Sequence, residues 1–273
     1  MLLLIHNIGH LKEEICHKPI RPTTIVQDSF QINTQTRNIY IQVEPEAIMP
    51  VQDAIINLSD QYDYILTFND HILSHCKNAY MYIYGTTFLN MDDISTISKD
   101  KKFMITSVTN DKLLTPAHHF RHLVYNNQLS IKSIPTLFYI SENSIHLKNI
   151  QNNPILQKDC SSKIELFRDA QFSLVIENSR QKNYFTEKIC DCLLTKTIPV
   201  YFGCPNISDF FDTTGWIIIE NYSLEELIEK LKILTPDYYT KYIDIVEKNF
   251  ETVKQYADYK ENINKCLRSI PGY

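Results

Sequence analysis

The sequence predicts an α/β protein whose parallel sheets are covered by helices, and predicts that arrangement twice. Three observations carry this. Short apolar runs alternate with polar, helix-compatible stretches over the first hundred residues. The alternation restarts after the charged run Ser98-Lys99-Asp100-Lys101-Lys102, which has no apolar periodicity. The length, 273 residues, suits two compact α/β domains.

In the first half, Leu2–Ile5, Thr24–Gln27, Ile39–Val43, Tyr64–Phe68 and Ala79–Tyr84 read as buried strands. Val51, Ala54, Ile55 and Leu58 share one helical face, and Asp70–Ser74 is a shorter helix. The charged run is the expected junction, separating residues 1–100 from 101–260; residues 261–273 form a tail expected to pack back on the first domain. In the second half, Phe103–Val108 is a strand. Thr115-Pro116 opens a helix, since Thr can cap it and Pro is preset for its first turn. Thr136–Ile140 is a strand, Gln151–Lys163 a polar loop and Phe172–Ile176 a continuous apolar strand. A helix over Phe185–Leu194 carries Phe185, Ile189 and Leu193 on one stripe. Ile198–Phe202 and Trp216–Ile219 are further strands. Ser223-Leu224-Glu225-Glu226 is a capping box that starts a helix stopped by Pro236. Asp237 to about Tyr259 is the last long helix. The result is two Rossmann-like domains facing each other across a cleft, with ligands expected beyond the carboxyl ends of the strands.

Composition removes several classes of function. The formal charge is −5 and no long Lys/Arg run occurs, so nucleic-acid binding lacks its electrostatic footprint. Only five glycines are present, which excludes glycine-rich dinucleotide fingerprints; a Walker-type phosphate loop and Gly-x-Ser-x-Gly are absent too. Seven cysteines, an odd number without a paired framework, read as reduced thiols of a cytosol-like compartment. Cys190-Asp191-Cys192 lacks the two-residue spacer of a zinc or redox pair and reads as small buried helix residues. Met1–Ile5 is apolar but too short for a signal core or membrane span, and His6–His10 follows at once. The expectation is a cytoplasmic microbial or viral enzyme, or the soluble part of a longer one.

The chemistry concentrates between Phe172 and Lys188. A hydrophobic strand ends at Ile176, Glu177-Asn178-Ser179 stand at its mouth, and a short loop feeds a helix whose first turn holds Thr186, Glu187 and Lys188. A helix N-terminus offers free N–H groups and partial positive charge to anionic oxygens. Lys188 adds a full charge, Glu187 can accept from ribose hydroxyls, and Asn178 both donates and accepts. Tyr184 could face a sugar or diphosphate. That logic suits a nucleoside diphosphate, and it equally describes a capped surface helix.

Glu177-Asn178-Ser179, then Tyr184-Phe-Thr-Glu-Lys188, then Thr197-Ile-Pro-Val-Tyr-Phe-Gly203, resemble the signature of the α1,3/4-fucosyltransferases, glycosyltransferase family 10. The close match covers Phe172–Asn206, with weaker similarity upstream to about Ile39. Ile176 replaces the usual Phe before Glu-Asn-Ser, a packing change. The resemblance implies a GT-B fold, inversion at the anomeric carbon and GDP-fucose as co-substrate bound in the C-terminal domain, with no cofactor or metal. By motif position, Glu187 would hold the ribose and Lys188 the diphosphate, with Asn178 and Tyr184 against the donor and Glu177 shaping the site. The family has an Arg shortly before a Tyr on the preceding helix; Arg121 stands four residues before Tyr125, with Lys112 and His118 in reserve. The inverting transfer needs a carboxylate base, expected from the strand end at Glu44-Pro45-Glu46, with Glu44 first and Glu46 second.

Metal ligands are not expected. Asp92-Asp93 and Asn69-Asp70-His71 lack the Asp-x-Asp pattern, and His118 with His122 reads as a surface pair. The expected partners are a nucleotide sugar and a glycan acceptor, and oligomeric state is left open. Two rivals remain: a same-fold transferase using another donor, such as a GDP-hexose or UDP-pentose, and a catalytically silent glycan-binding protein.

Overall fold

Every strand pairing among the described residues is parallel, and the strands form two separate sheets. The computed structural model describes residues 4–6, 23–142, 144, 158–160 and 162–273. Expectations for His6–His10 beyond His6, and for most of the Gln151–Lys163 loop, lie outside the described residues. The chain divides into two units, one comprising Met1–Gly85, Gln181–Tyr184 and Asp258–Tyr273, the other Thr86–Arg180 and Phe185–Ala257.

The first unit contains β1 (Leu4–His6), β2 (Thr23–Gln27), β3 (Arg37–Ile41), β4 (Tyr64–Thr67) and β5 (Ala79–Met81), side by side in chain order. Strand alternation sends successive side chains to opposite faces. Val26, Tyr40 and Ile65 therefore pack with Val51, Ile55 and Ile72 of the region around α1 (Gln52–Asn57) and α2 (Asp70–His75). Their neighbours Ile25, Ile39, Ile41 and Leu66 pack with Ile263, Leu267 and Ile270 on the opposite face. Those last residues belong to or follow α9 (Tyr259–Ser269), the C-terminal helix.

The second unit holds β6 (Lys102–Thr109), β7 (Thr136–Ser141), β8 (Lys158–Cys160), β9 (Ala170–Ile176), β10 (Ile198–Phe202) and β11 (Ile217–Ile218), in the spatial order β11-β10-β9-β6-β7-β8. The chain thus starts in the middle at β6, runs outward to β8, then returns to β9 and runs outward the other way. That is the strand order of a dinucleotide-binding sheet, with its reversal between β6 and β9. β9 and β10 are buried along their whole length, as a doubly covered parallel sheet requires. α4 (Pro116–Asn126) and α6 (Leu224–Leu231) contribute Phe120, Val124, Leu227 and Leu231 to one core. α5 (Glu187–Leu194) lies on β9 and β10 and against α8 (Ile243–Ala257).

Three expectations need correction. The last long helix is not continuous: it is interrupted at Tyr242, between α7 (Tyr238–Lys241) and α8, and past its end Asp258 accepts the Glu261 amide at 3.0 Å and caps a further helix, α9, where a tail was expected. The charged run Ser98–Lys102 is not a solvated junction. It lies inside the second unit, Ser98 N–H donates to Arg168 O, and the Lys101 ammonium is buried, donating to Phe167 O at 2.6 Å, Thr197 Oγ1 at 2.9 Å and Ala170 O at 3.1 Å. Ser223 does cap α6 by accepting the Glu226 amide, but the Glu226 carboxylate reaches past the cap to the amides of Glu220 and Asn221. A further short helix, α3 (Met91–Ser95), begins with an Asn90/Asp93 capping box that the sequence reading passed over.

Candidate active site

A cavity of about 340 Å³ opens beyond the carboxyl ends of β6 and β9, at the point where the strand order reverses. Val108, Leu166, Phe167 and Leu174 give it apolar walls. Arg121, Lys163, Lys188 and Glu187 bring charge to it. Three cations facing one carboxylate leave the cavity cationic, which suits an anionic ligand with an apolar body.

Each charged side chain is held by a local device. Arg121, on α4, donates through Nε and Nη2 to the carbonyl of Ile176, the last residue of β9, with Nε at 3.0 Å, and through Nη2 to Asn178 Oδ1 at 3.0 Å. Those bonds fix the guanidinium at the strand mouth while it still lines the cavity. The N-cap of α4, Thr115, donates its hydroxyl to Asn178 O at 2.8 Å. A hydroxyl has one proton, so the 2.8 Å contact to His118 Nδ1 assigns the ring proton to Nδ1. His118 is 2% exposed. Burial, reinforced by the nearby Arg121, Lys112 and Lys188 cations, pushes its imidazole down to about 4, so it is neutral at pH 7. His122 contacts Asn110 O through Nε2 instead of facing His118.

Glu177 is fully buried. Its carboxylate accepts the Thr186 amide at 3.0 Å and the Thr186 hydroxyl at 2.7 Å, and burial pushes it up in spite of Lys188 at 3.7 Å. It therefore shapes the entry to α5 and presents no free oxygen to a ligand. Thr186, expected within the first turn, is the N-cap, and Phe185 precedes the helix. Thr186 Oγ1 accepts the Lys188 amide at 3.4 Å. Two of the amides expected to face a diphosphate are thus used inside the turn, and the site's positive charge comes mainly from side chains. Lys188 Nζ lies 3.1 Å from both Glu187 Oε1 and Thr186 Oγ1. Burial opposes the Glu187 charge, but the Lys188 and Lys163 ammonium groups outweigh it and hold the carboxyl at about 2. Asn178 and Ser179 are half-buried at the strand mouth.

Arg121, Asn178, Ser179, Thr186, Glu187 and Lys188 are thus gathered in one unit, with Glu177 beneath them. Tyr184, Glu44 and Glu46 belong to the other unit. There Tyr184 is 1% exposed and its ring lies 5.3 Å from that of Phe68. Glu46 is engaged: its Oε1 accepts from Asn69 Nδ2 at 3.0 Å and Gln42 Nε2 at 3.1 Å, and its amide donates to Gln181 Oε1. The Glu44 carboxylate accepts no hydrogen bond among the described residues, while its amide is held by Asp28 Oδ2 at 3.0 Å. Asp28 also accepts the Val43 amide at 3.0 Å. The Asn69 side chain caps α2, Asp70 pairs with Lys182, and Asp93 closes the α3 capping box. No cluster of three potential metal ligands forms among the described residues.

Three participants escaped sequence reading. Lys163 lines the cavity and Asp191 holds it at 2.6 Å, with Asp191 itself 0% exposed on α5. Asp28 stands under the Glu44 loop. A signal for Asp191 existed: an acid one turn beyond Glu187 on an otherwise apolar helix cannot be buried without a cation. Nothing local marked Lys163, at the end of a stretch that reads as polar loop.

A parallel α/β pair of sheets with a cationic cavity at the switch point of the second defines the class: this is the GT-B architecture of glycosyltransferases. The family model described as glycosyltransferase family 10 (fucosyltransferase), C-terminal part, matches residues 126–268, more than half of the chain. The chain belongs to that family. It is 26% identical over 172 residues to the alpha-(1,3)-fucosyltransferase FucT of Helicobacter pylori, a match covering 61% of this chain and 35% of the relative. It is 30% identical over 116 residues to the GDP-fucose protein O-fucosyltransferase 3 of Xenopus laevis, covering 41% of this chain and 22% of the relative. The matches thus span about a third or less of these relatives' length. Among solved structures, an alpha1,3-fucosyltransferase with GDP-fucose superposes with a TM-score of 0.53 at 16% identity, over 92% of this chain and 79% of that one. TarM superposes with a TM-score of 0.59 at 14% identity, over 90% and 54%. At such identities the likeness speaks for the fold.

Proposed function

We propose that this chain transfers fucose from GDP-fucose to a hydroxyl of a glycan acceptor, in one displacement that inverts the anomeric carbon. The observation that carries the reading is the cationic cavity at the β6/β9 switch point, which Arg121, Lys163 and Lys188 line together with Glu187. In the reaction, the acceptor oxygen bonds to the anomeric carbon while the bond from that carbon to the diphosphate oxygen breaks. The acceptor proton passes to Glu44, the strand-end carboxylate that accepts no hydrogen bond among the described residues. The departing GDP gains negative charge at the β-phosphate. Arg121, fixed by Ile176 O and Asn178, and Lys188 meet that charge with groups already oriented, so little reorganisation is needed as the bond breaks. Those two cations supply the charge that a divalent ion supplies in metal-dependent transferases. Asn178 and Ser179, half-buried at the strand mouth of the same unit, are assigned to the donor.

Calorimetry with GDP, UDP, GDP-fucose and a GDP-hexose tests the reading. The expected order places GDP and GDP-fucose first. Preference for UDP or for the hexose would replace the donor, and no binding of any nucleotide would sink the transferase assignment. With donor and an acceptor panel, the configuration of the product by NMR decides between inversion and retention.

A further inference from the structure

A half-buried cation stands in the cavity wall that neither the family signature nor the reaction above uses. Lys163 sits on the turn before β9, and its Nζ lies 2.6 Å from Asp191 Oδ2, 3.7 Å from Glu187 Oε1 and 4.7 Å from the ring centroid of Phe88, which also lines the cavity. Asp191 is a rigid anchor. Its other oxygen accepts from the Thr87 hydroxyl and from the Phe88 amide at 3.1 Å, so one carboxylate fixes both Lys163 and the Phe88 wall. Burial works against the Lys163 charge, but Asp191 and Glu187 outweigh it and raise the ammonium above its ordinary value.

An ammonium has three protons. Asp191 takes one, and Glu187 lies too far for a direct hydrogen bond, so among the described residues donor capacity remains for the cavity. Beside it stands Glu187, which is held ionised and can only accept. A fixed acceptor with a fixed donor alongside matches a vicinal diol, whose hydroxyls each donate and accept. A lone phosphate would meet Glu187 as a repulsive neighbour.

Resting on the nucleotide-sugar reading above, we propose that Lys163, positioned by Asp191, works with Glu187 to read the ribose diol of the donor nucleotide, making Lys163 a specificity-determining residue of the donor site. The role explains why Asp191 is buried a turn beyond Glu187 on the same helix.

The test is calorimetric, with the full chain and with GDP, 2′-deoxy-GDP and 3′-deoxy-GDP. Losing a hydrogen bond to a charged group typically weakens binding about tenfold or more, so the unaltered chain is expected to favour GDP over each deoxy form by that factor. In Lys163→Met the preference is expected to fall below about threefold, while Lys163→Arg keeps part of it. A merely structural role would weaken all three nucleotides alike and leave the ratios unchanged, and that result overturns the proposal. Lys163→Gln keeps a donor for Asp191 and guards against loss of fold; its ratios are expected to fall likewise. If the unaltered chain binds GDP without preferring it, Lys163 has no such role. If it binds no GDP at all, the donor reading fails and takes this one with it.

Discussion

Glu177 and Thr186 are locked together across nine residues of sequence, the carboxylate taking the amide at 3.0 Å and the hydroxyl at 2.7 Å. This clamp joins the end of β9 to the start of α5 and so sets where Glu187 and Lys188 stand. Gly203 is the reason it fits. A Cβ there would lie 2.5 Å from Tyr201 Oη and 2.6 Å from Glu177 Cγ. Both neighbours are buried and bonded, Tyr201 Oη accepting the Cys204 amide at 2.9 Å. Gly203→Ala is therefore expected to cost about 1–3 kcal/mol in urea unfolding and to weaken nucleotide binding. Gly272→Ala is the control: nothing lies within 4 Å of its Cβ, and its φ of +80° makes the cost only about 1 kcal/mol. Equal stability of Gly203→Ala and the parent chain would show that the clamp has slack.

His118 gives stability a pH dependence of known sign. Its folded value is about 4 against an ordinary value of 6.5, so the unfolded chain binds more protons between those values. Stability from this group is intact above pH 6.5 and falls as pH drops toward 4, by an amount on the order of 3 kcal/mol. His118→Gln should flatten that part of the profile in thermal melts. Because folded His118 stays neutral down to about 4, the cap that holds the Asn178 carbonyl is undisturbed over that window, and donor affinity in the unaltered chain should not follow the stability profile.

The two candidate bases separate by what each carboxylate touches. Glu46 accepts from the Gln42 and Asn69 side chains and from the Gln52 amide, so Glu46→Ala removes three hydrogen bonds and should cost about 1–3 kcal/mol of stability. Glu44 makes no such bond, and Glu44→Ala should change stability by less than about 0.5 kcal/mol. Turnover is expected to vanish in Glu44→Ala while GDP binding stays. Full turnover in that variant would move the base elsewhere.

The legible parts were those that local chemistry writes into the chain. β10 runs over Ile198–Phe202 as read, because a continuous apolar run between turns has no other home in a parallel sheet. α4 opens behind Thr115 and Pro116 as read, because capping is a local event. The misses all involve distant partners. Lys101 looks solvated until three acceptors from Phe167, Ala170 and Thr197 surround it, and those residues lie 66 to 96 positions away. Lys163 and Asp191 become a pair only after β9 and α5 fold together. The break at Tyr242, between α7 and α8, carries no proline or glycine to mark it, so the stretch reads as one helix.

Asp28 offers the sharpest test of how the Glu44 loop is held. It adopts φ 48° and turns its buried carboxylate onto the Val43 and Glu44 amides, both at 3.0 Å. Burial raises the carboxyl to about 7; the two amides pull it down, and the charges of Glu44 and Glu46 push it up further. The raised value means that the folded chain keeps a proton the unfolded chain has lost. Stability from Asp28 is therefore full below the ordinary value of 3.8 and is lost as pH rises toward 7. Asn keeps a carbonyl acceptor and tolerates positive φ, but cannot ionise. Asp28→Asn should remove the decline between pH 4 and 7 in thermal melts, so that the variant gains on the parent as pH rises. Because the same loop carries Glu44, the variant should also shift the pH profile of turnover without changing GDP affinity. Parallel melting curves for the two chains across that range would mean the carboxylate is already ionised in the fold, with its two amide bonds outweighing burial.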